Sequence, residues 1–334
     1  MRKPRIALVT GGYSSEAVIS YKSAVTIQQN LDTGKYDVYR VDITPEAWFH
    51  PTADGQKIAI NRQDFSLPLP GGVIHFDAIF IGIHGTPGED GKLQGYFDLL
   101  GLPYTSCDAA CSAITFNKRY TVAIAAFSGI KVARSLHLFS HSPLPAGEIL
   151  KELKLPVFVK PNNGGSSIGM SKVNRADELP AALDKAFKED SQVLVEEFIR
   201  GREFTIGVFR SGGETLTLPF TEVITHNEFF DYQAKYEGKS HEVTPAECTE
   251  EIAEQVRSTA RKVYDVFNCR GIVRMDFIYE ESVQQPYLLE INTVPGQSEA
   301  SIVPQQVKAK GWELKQFYTM LVEEALSVRK SSIA

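Results

Sequence analysis

No stretch of this 334-residue chain approaches the roughly 18 consecutive apolar residues that a membrane-spanning helix requires, so insertion into a membrane is not expected. Positive charge is not in excess. Lys and Arg number 35 against 41 Asp and Glu, for a formal net charge of -6. That balance argues against a nucleic-acid partner held by a broad basic surface, and leaves room only for a local basic pocket that takes a small anion. Cysteine is scarce: Cys107, Cys111, Cys248 and Cys269 form no CxxC pair and have no partnering His cluster. Reduced thiols of a cytoplasmic protein, buried or incidental, are the expectation. There is no low-complexity tract and no internal repeat. The opening MRKPRIALVTGG has too few apolar residues before its glycine pair for a signal peptide, and reads as a first strand.

What is present is ordinary globular composition, 43% hydrophobic and 23% charged, on a chain long enough for two or three modest domains. RIALVTGG, the helical SSEAVISYKSAVTIQQNL, YDVYRVDI, FDAIFIGIHG and LQGYFDLLGLPY alternate strand and helix, which predicts a doubly wound parallel sheet ending near Thr105 or Ser106. A second unit of α+β type follows. Ser112 to Gly129 reads as one helix, with VARSLHLF, KLPVFVK, GMSKV and QVLVEEF as strands and ADELPAALDKAFKED as a helix. In a third unit REFTIGVF, TLTLPFTEV, GIVRMDFIYE and PYLLEIN read as strands, and EEIAEQVRSTARKVYDVF and ELKQFYTMLVEEAL as helices. Between them THNEFFDYQAKYEGKSHEV has no clean periodicity and reads as a long lid or binding loop.

RMDFIY and LLEIN carry the most chemistry. A hairpin centred on Val283 sets Asp276 opposite Glu290 and Arg274 opposite Asn292. Alternation then places these four on one face, with Val273, Met275, Phe277, Leu289 and Ile291 toward the core. Two carboxylates directly across a strand pair repel unless a cation lies between them. An all-oxygen donor set suits Mg²⁺; a solvated face on which Arg274 neutralises one acid is the other reading, and the pattern alone leaves both open. Magnesium usually binds together with substrate phosphates, so the metal reading predicts a nucleotide. KPNNGGSSIGMSK, Lys160 to Lys172, is a candidate cover. It is neither a P-loop nor GxGxxG. It reads as strand–loop–strand, with glycine and serine that let backbone N–H groups approach an anion.

Taken together, GGYSSE, IHGTPGEDGKLQG, VKPNNGGSSIGMSKV, VLVEEFIRGREFT, DYQAKY, RMDF and LLEINTVPG resemble the ATP-grasp superfamily, and within it the D-alanine–D-alanine ligases, in order and rough spacing over nearly the whole chain. The resemblance implies an ATP-grasp fold preceded by a Rossmann-like domain. Residues 1–106 would form that first, substrate-binding domain, 107–200 a central subdomain with the Gly-rich loop, and 201–334 a C-terminal subdomain with the lid, metal and oxyanion residues. It implies ligation of two D-alanines with ATP through a D-alanyl phosphate, for peptidoglycan precursors, by a cytoplasmic homodimer.

Residue by residue, the resemblance implies that Glu16 binds the ammonium of the first D-alanine and that His84 lies near this substrate. Lys118 and Lys160 would hold nucleotide phosphates, and Lys235 the transferred one. Glu196 and the backbone around Glu197 and Ile199 would meet adenine, and Glu203 the ribose. Ser166 and Tyr236 would link the Gly-rich loop, the lid and Glu16. Arg274 and the N–H of Gly296 would stabilise the oxyanion. Asp276, Glu290 and Asn292 would hold two Mg²⁺ ions, with Mn²⁺ able to substitute, and Ser301 would bind the second D-alanine's carboxylate.

Two stretches depart from the common family pattern. SSEAVIS lacks the charged Arg-Glu pair that often follows the glutamate. QSEASI stands where Met-Thr and a His before the serine are common. Both flank Glu16 and Ser301 without replacing them. The alternatives are a relative that joins D-alanine to D-lactate or D-serine, against which Tyr236 speaks, and a non-catalytic nucleotide-binding protein on the same fold.

Overall fold

The computed structural model describes residues 2–165, 168–225 and 240–331. Ser166, Lys235 and Tyr236 lie outside them.

The first sheet has the order β4-β3-β2-β1-β7: β1 (Arg5–Gly11), β2 (Asp37–Ile43), β3 (Trp48–Pro51), β4 (Lys57–Ala59) and β7 (Ala78–Ile81). β1 runs parallel to both β2 and β7, as the alternation of strands and helices predicts. β3 and β4 add antiparallel pairs at one edge, so the sheet is mixed rather than all-parallel. The short strands β5 (Leu67–Leu69) and β6 (Gly72–Ile74) pair separately. β1 and β7 are buried throughout nearly their whole length, which is why they read as continuous apolar runs. Helices α1 (Ala17–Asn30) and α2 (Lys92–Leu99) follow β1 and β7.

The stretch expected as one helix from Ser112 to Gly129 is two: α3 (Ala109–Phe116) and α4 (Lys118–Phe127). Asn117 breaks it. Its backbone is extended and its side-chain oxygen accepts from Tyr120 N–H, capping a new helix instead of continuing the old one. A second sheet, β10-β9-β11-β8, is antiparallel and contains β8 (Ser135–Phe139), β9 (Val157–Pro161), β10 (Ser171–Val173) and β11 (Gln192–Glu197), with α5 (Ala146–Glu152) and α6 (Leu179–Phe187) beside it.

The third sheet runs β15-β14-β12-β16-β17, with β13 (Glu214–Thr217) also on β12 (Arg202–Ser211). TLTLPFTEV is not one strand. It is β13 and β14 (Thr221–Thr225), interrupted at Leu218–Phe220, where Pro219 offers no N–H to a ladder. SHEV, expected in the loop, is β15 (Ser240–Val243). Helix α7 (Glu250–Val266) is capped by Thr249 and buries Ala253, Val256, Ala260, Val263 and Tyr264 against this sheet at helical spacing.

β16 (Val273–Glu280) and β17 (Gln285–Asn292) pair as expected at the site end: Arg274 opposite Asn292 and Asp276 opposite Glu290. Beyond Asp276 a bulge shifts the register, and Phe277 pairs with Leu288. The buried residue is therefore Leu288, and Leu289, expected in the core, turns to the opposite side. Helices α8 (Ile302–Ala309) and α9 (Leu314–Ser331) close the fold. Phe317, Tyr318, Leu321 and Val322 of α9 share one core with Ile6, Leu8 and Phe80 of the first sheet and Phe209 of the third, so the two sheets are held by common apolar burial.

Candidate active site

Two cavities of about 380 and 420 Å³ meet where the three sheets face one another. Lys118, Gly164, Gly165, Glu203, Asp276 and Glu290 line both, so the two are compartments of one cleft.

The larger compartment has an apolar lining from Phe158, Met170, Ile278 and Leu289, with Glu196, Glu197 and Ile199 at its edge. The register bulge brings Leu289 here. Apolar walls with a few polar edges suit a planar heterocycle. Lys160, at the end of β9, is buried and paired with Glu196 at 2.5 Å. Leu194 is the residue opposite Lys160, so the pair is diagonal across the strands. The Glu197 carboxylate accepts from Lys154 N–H at 2.8 Å and so ties a loop to β11.

The Gly-rich loop is anchored at its start. Asn162, fully buried, accepts from Arg119 N–H through its side chain and from Lys118 N–H through its carbonyl. Lys118, placed at a helix start by the Asn117 break, donates from Nζ to the Gly164 carbonyl at 2.7 Å. A Cβ on Gly165 would lie 2.8 Å from Glu16 Oε1, and one on Gly85 would lie 2.5 Å from Glu16 Oε2. A Cβ at either position would displace this carboxylate, and Gly85 also has φ +67°, a backbone region that favours glycine.

The smaller compartment gathers Glu16, His84, Glu89, Arg274, Asp276, Glu290, Asn292, Gly296 and Ser301. Arg274 donates from Nε and Nη2 to both Asp276 oxygens at 2.9 and 2.8 Å, with Glu290 Oε1 at 3.6 Å. Burial opposes the Arg274 charge, but the Asp276 charge and hydrogen bonds outweigh it and hold the guanidinium protonated. The cation between the two acids is thus Arg274 itself. Thr205 donates its hydroxyl to Asp276, and Asn292 Nδ2 sits 3.4 Å from both carboxylates. The donor set remains oxygen-only and lies at the junction of the two compartments, so its chemistry fits a hard divalent ion.

Sequence reasoning missed several residues of this compartment. Glu89, in the GEDG of a motif already singled out, accepts from Gly85 N–H at 2.7 Å and Val294 N–H at 3.2 Å. Burial, together with the nearby Glu16 charge, pushes it up to about 8 despite these bonds. His84 is held by a network that only folding assembles. Its Nδ1 is 2.7 Å from the Val294 carbonyl, which can only accept, so the proton is on Nδ1. Nε2 then accepts from the Ser23 hydroxyl at 2.8 Å, and Ser23 in turn accepts from Gln297 N–H at 3.0 Å. Burial lowers the imidazole to about 4, so His84 is neutral near pH 7 and both ring nitrogens are engaged. Gln297, in the QSEASI departure, accepts from the Tyr318 hydroxyl at 3.2 Å. The departure thus supplies a polar tether between the site and α9. Glu242 of β15 also lines the compartment, raised by burial.

Ser301 stands at the N-cap position of α8 and shares a 2.7 Å hydrogen bond with Ser298. Gly296 lies against it: a Cβ there would be 2.8 Å from Ser301 Oγ. A helix N-terminus beside a close-packed glycine suits a carboxylate.

Residues 5–107 match the family described as D-ala D-ala ligase N-terminus, and residues 119–323 match D-ala D-ala ligase C-terminus. A D-alanine–D-alanine ligase of Flavobacterium johnsoniae is 45% identical over 322 residues, covering 96% of this chain and 99% of the relative. Among solved structures, a VanG D-Ala:D-Ser ligase from Enterococcus faecalis superposes with a TM-score of 0.86 at 30% identity, covering 97% of this chain and all of that one. The Bacillus anthracis D-alanine–D-alanine ligase complexed with ATP does so at 0.79 and 29%, covering 98% and 99%. The architecture is the ATP-grasp fold behind a Rossmann-like sheet.

Proposed function

Because the chain belongs to the D-alanine–D-alanine ligase family, we propose that it joins two D-alanines to D-alanyl-D-alanine at the expense of ATP, releasing ADP and phosphate for peptidoglycan precursor synthesis. The observation that carries this reading is the convergence of Glu16 and His84 from the first sheet region with Arg274, Asp276, Glu290, Asn292, Gly296 and Ser301 from the last, in one compartment that opens into an apolar-walled one.

In this reading adenine lies between Phe158 and Leu289, with Glu196 and the backbone of Glu197 and Ile199 at its polar edge and Glu203 at the ribose. Lys118 and Lys160 hold phosphates at the junction. Glu16, gripped by Gly85 and Gly165, binds the first D-alanine's ammonium and aims its carboxylate at the γ-phosphorus. The carboxylate attacks, ADP leaves, and a poor electrophile becomes an acyl phosphate. Ser301 and the start of α8 hold the second D-alanine's carboxylate, so that its amine attacks the acyl carbon and phosphate departs. Arg274 and Gly296 N–H stabilise the negative oxygen of the tetrahedral intermediate. His84, neutral and doubly hydrogen-bonded, positions rather than transfers protons. Asp276, Glu290 and Asn292 would hold two Mg²⁺ ions, which when bound neutralise phosphate charge; Mn²⁺ meets the same donor preference. Lys235 on the transferred phosphate, and Ser166 with Tyr236 joining loop and lid, complete the scheme. The division at 106/107 and 200/201, a homodimer and a cytoplasmic location belong to the same proposal. No helix among the described residues is long and apolar enough to cross a membrane.

The similarity to a D-Ala:D-Ser ligase favours D-serine as the second reading for the acceptor. ADP release by the purified protein, with and without D-alanine, tests the proposal. Release that depends on D-alanine supports it, and release indifferent to D-alanine returns the chain to a nucleotide-binding role. Product analysis with D-alanine, D-serine and D-lactate over a pH series then separates the acceptors.

A further inference from the structure

All four cysteines are free thiols, and three of them meet. Cys107, Cys111 and Cys269 are buried, with their sulfur atoms within 4.8 Å of one another. Cys107 lies just ahead of α3, Cys111 in its first turn, and Cys269 in the turn between α7 and β16. Cys111 Sγ and Cys269 Sγ are 3.8 Å apart. Arg270 N–H donates to Cys107 Sγ at 3.4 Å, and the Arg270 carbonyl is 3.3 Å from the same sulfur. The three cysteines belong to an apolar core that also includes Ala125, Ile130, Val263 and Phe267.

The Cys111–Cys269 separation matches what a soft ion needs, and Cys107 lies close enough to join them. A Zn–S bond of about 2.3 Å at a tetrahedral angle separates two ligating sulfurs by about 3.8 Å, and a carbonyl oxygen from a sulfur by about 3.6 Å. Three sulfurs select thiophilic ions over Mg²⁺. In apolar surroundings the charge left after binding matters: three thiolates with a divalent ion leave one negative charge, and with a monovalent ion two. An amide N–H donated to a ligating sulfur is a common supporting contact in such sites.

We propose that Cys107, Cys111 and Cys269, with the Arg270 carbonyl as fourth donor, form a structural site for a soft divalent d¹⁰ ion, zinc in the cell. The ion would staple the start of α3 to the turn that leads into β16. These segments already touch: a Cβ on Gly271 would lie 1.9 Å from the Thr105 carbonyl. Both lead to the cleft, α3 through Thr115 and Phe116 and β16 through Arg274. The site adds rigidity to two cleft walls and takes no part in the chemistry, so its presence does not depend on the ligase reading.

The test is anaerobic titration of the reduced full chain with Cd²⁺, followed by thiolate-to-metal charge-transfer absorption, which carboxylate-bound Cd²⁺ does not give. Incubation over hours lets the ion enter through local opening. The expected result is a band that saturates at one equivalent per chain, with a raised Tm. It should persist in Cys248→Ser and weaken by about tenfold or more in affinity in Cys269→Ser. Cys111→Ala serves as the second variant, and circular dichroism checks that each is folded. No band in the wild-type chain, a band of wild-type affinity in both Cys269→Ser and Cys111→Ala, or loss of two thiols to a Cys111–Cys269 disulfide in place of ion binding would each overturn the proposal.

Discussion

Gly165 of the Gly-rich loop lies against Glu16 of the first helix's N-terminus, so close that a Cβ on the glycine would stand 2.8 Å from the Glu16 carboxylate. Two segments about 150 residues apart thereby share one contact over the cleft. Gly165→Ala must displace either the loop or the acid. The expected outcome is a loss on the order of 10–100-fold in kcat/KM for the first D-alanine, with the apparent Kd for ATP nearly unchanged. Steady-state kinetics with each substrate varied in turn would decide it, and an unaltered KM for D-alanine would show that the contact positions nothing.

Asp276→Asn removes a carboxylate that holds Arg274 by two hydrogen bonds and, in the proposed scheme, the metal. Turnover should fall by at least about 10²-fold, with the dependence on Mg²⁺ concentration displaced upward and circular dichroism unchanged. A wild-type rate at limiting Mg²⁺ would sink the metal assignment.

The Lys160–Glu196 pair is buried, with side-chain exposures of 11% and 9%. Lys160→Met leaves an unpaired buried carboxylate and should cost about 3–5 kcal/mol of stability, whereas Lys160→Met with Glu196→Gln should recover a large part of that loss. Urea unfolding of the two singles and the double measures the coupling. Additive losses would mean that the charges do not interact.

Ser23→Ala strips the hydroxyl that donates to His84 Nε2 and accepts from Gln297 N–H. Two buried groups lose partners, and a cost of about 1–3 kcal/mol is expected, together with a raised KM for D-alanine as the imidazole loosens. NMR of the ring nitrogens reads the tautomer directly: a proton on Nε2 in the wild type would contradict the assignment.

Glu89 makes stability depend on pH. Its carboxyl rises from an ordinary 4.5 to about 8 on folding. Below 4.5 it is protonated folded or unfolded. Between 4.5 and 8 the folded state binds the extra proton, so this contribution is lost as pH rises through that window. His84 works in the other direction: lowered from 6.5 to about 4, it contributes stability above 6.5 that is lost as pH falls toward 4. Glu89→Gln should therefore flatten the decline in unfolding free energy between pH 5 and 8 in the substrate-free protein. An equally steep decline in the variant would assign it to other groups.

The β16–β17 hairpin shows how far local pattern reaches. Its site half follows from the period of two, because Arg274, Asp276, Glu290 and Asn292 obey one alternation about one centre. On the distal half of β17 the pattern fails, because a single extra residue there reverses the facing of that strand beyond it and delivers Leu289 to the cleft, while Phe277 of β16 stays in the core as the alternation predicts. Asn117 is a similar case. Its periodic surroundings read as one helix, and the competing side-chain cap that starts α4 and sets Lys118 over the loop is visible only in the backbone.

By itself the sequence determined the family, the alternation of strands and helices and the four-residue patch, since these rest on short-range periodicity and on motifs contiguous in the chain. Tertiary structure alone decided that Arg274 is the cation between the acids, that Ser23, His84 and Gln297 lock one tautomer, that Glu89 is pushed toward neutrality beside Glu16, and that Cys269 joins Cys107 and Cys111 from 158 residues beyond Cys111. Each of these depends on burial and on separations of a few ångströms between remote segments, and such distances are fixed by packing in the shared cores rather than by spacing along the chain.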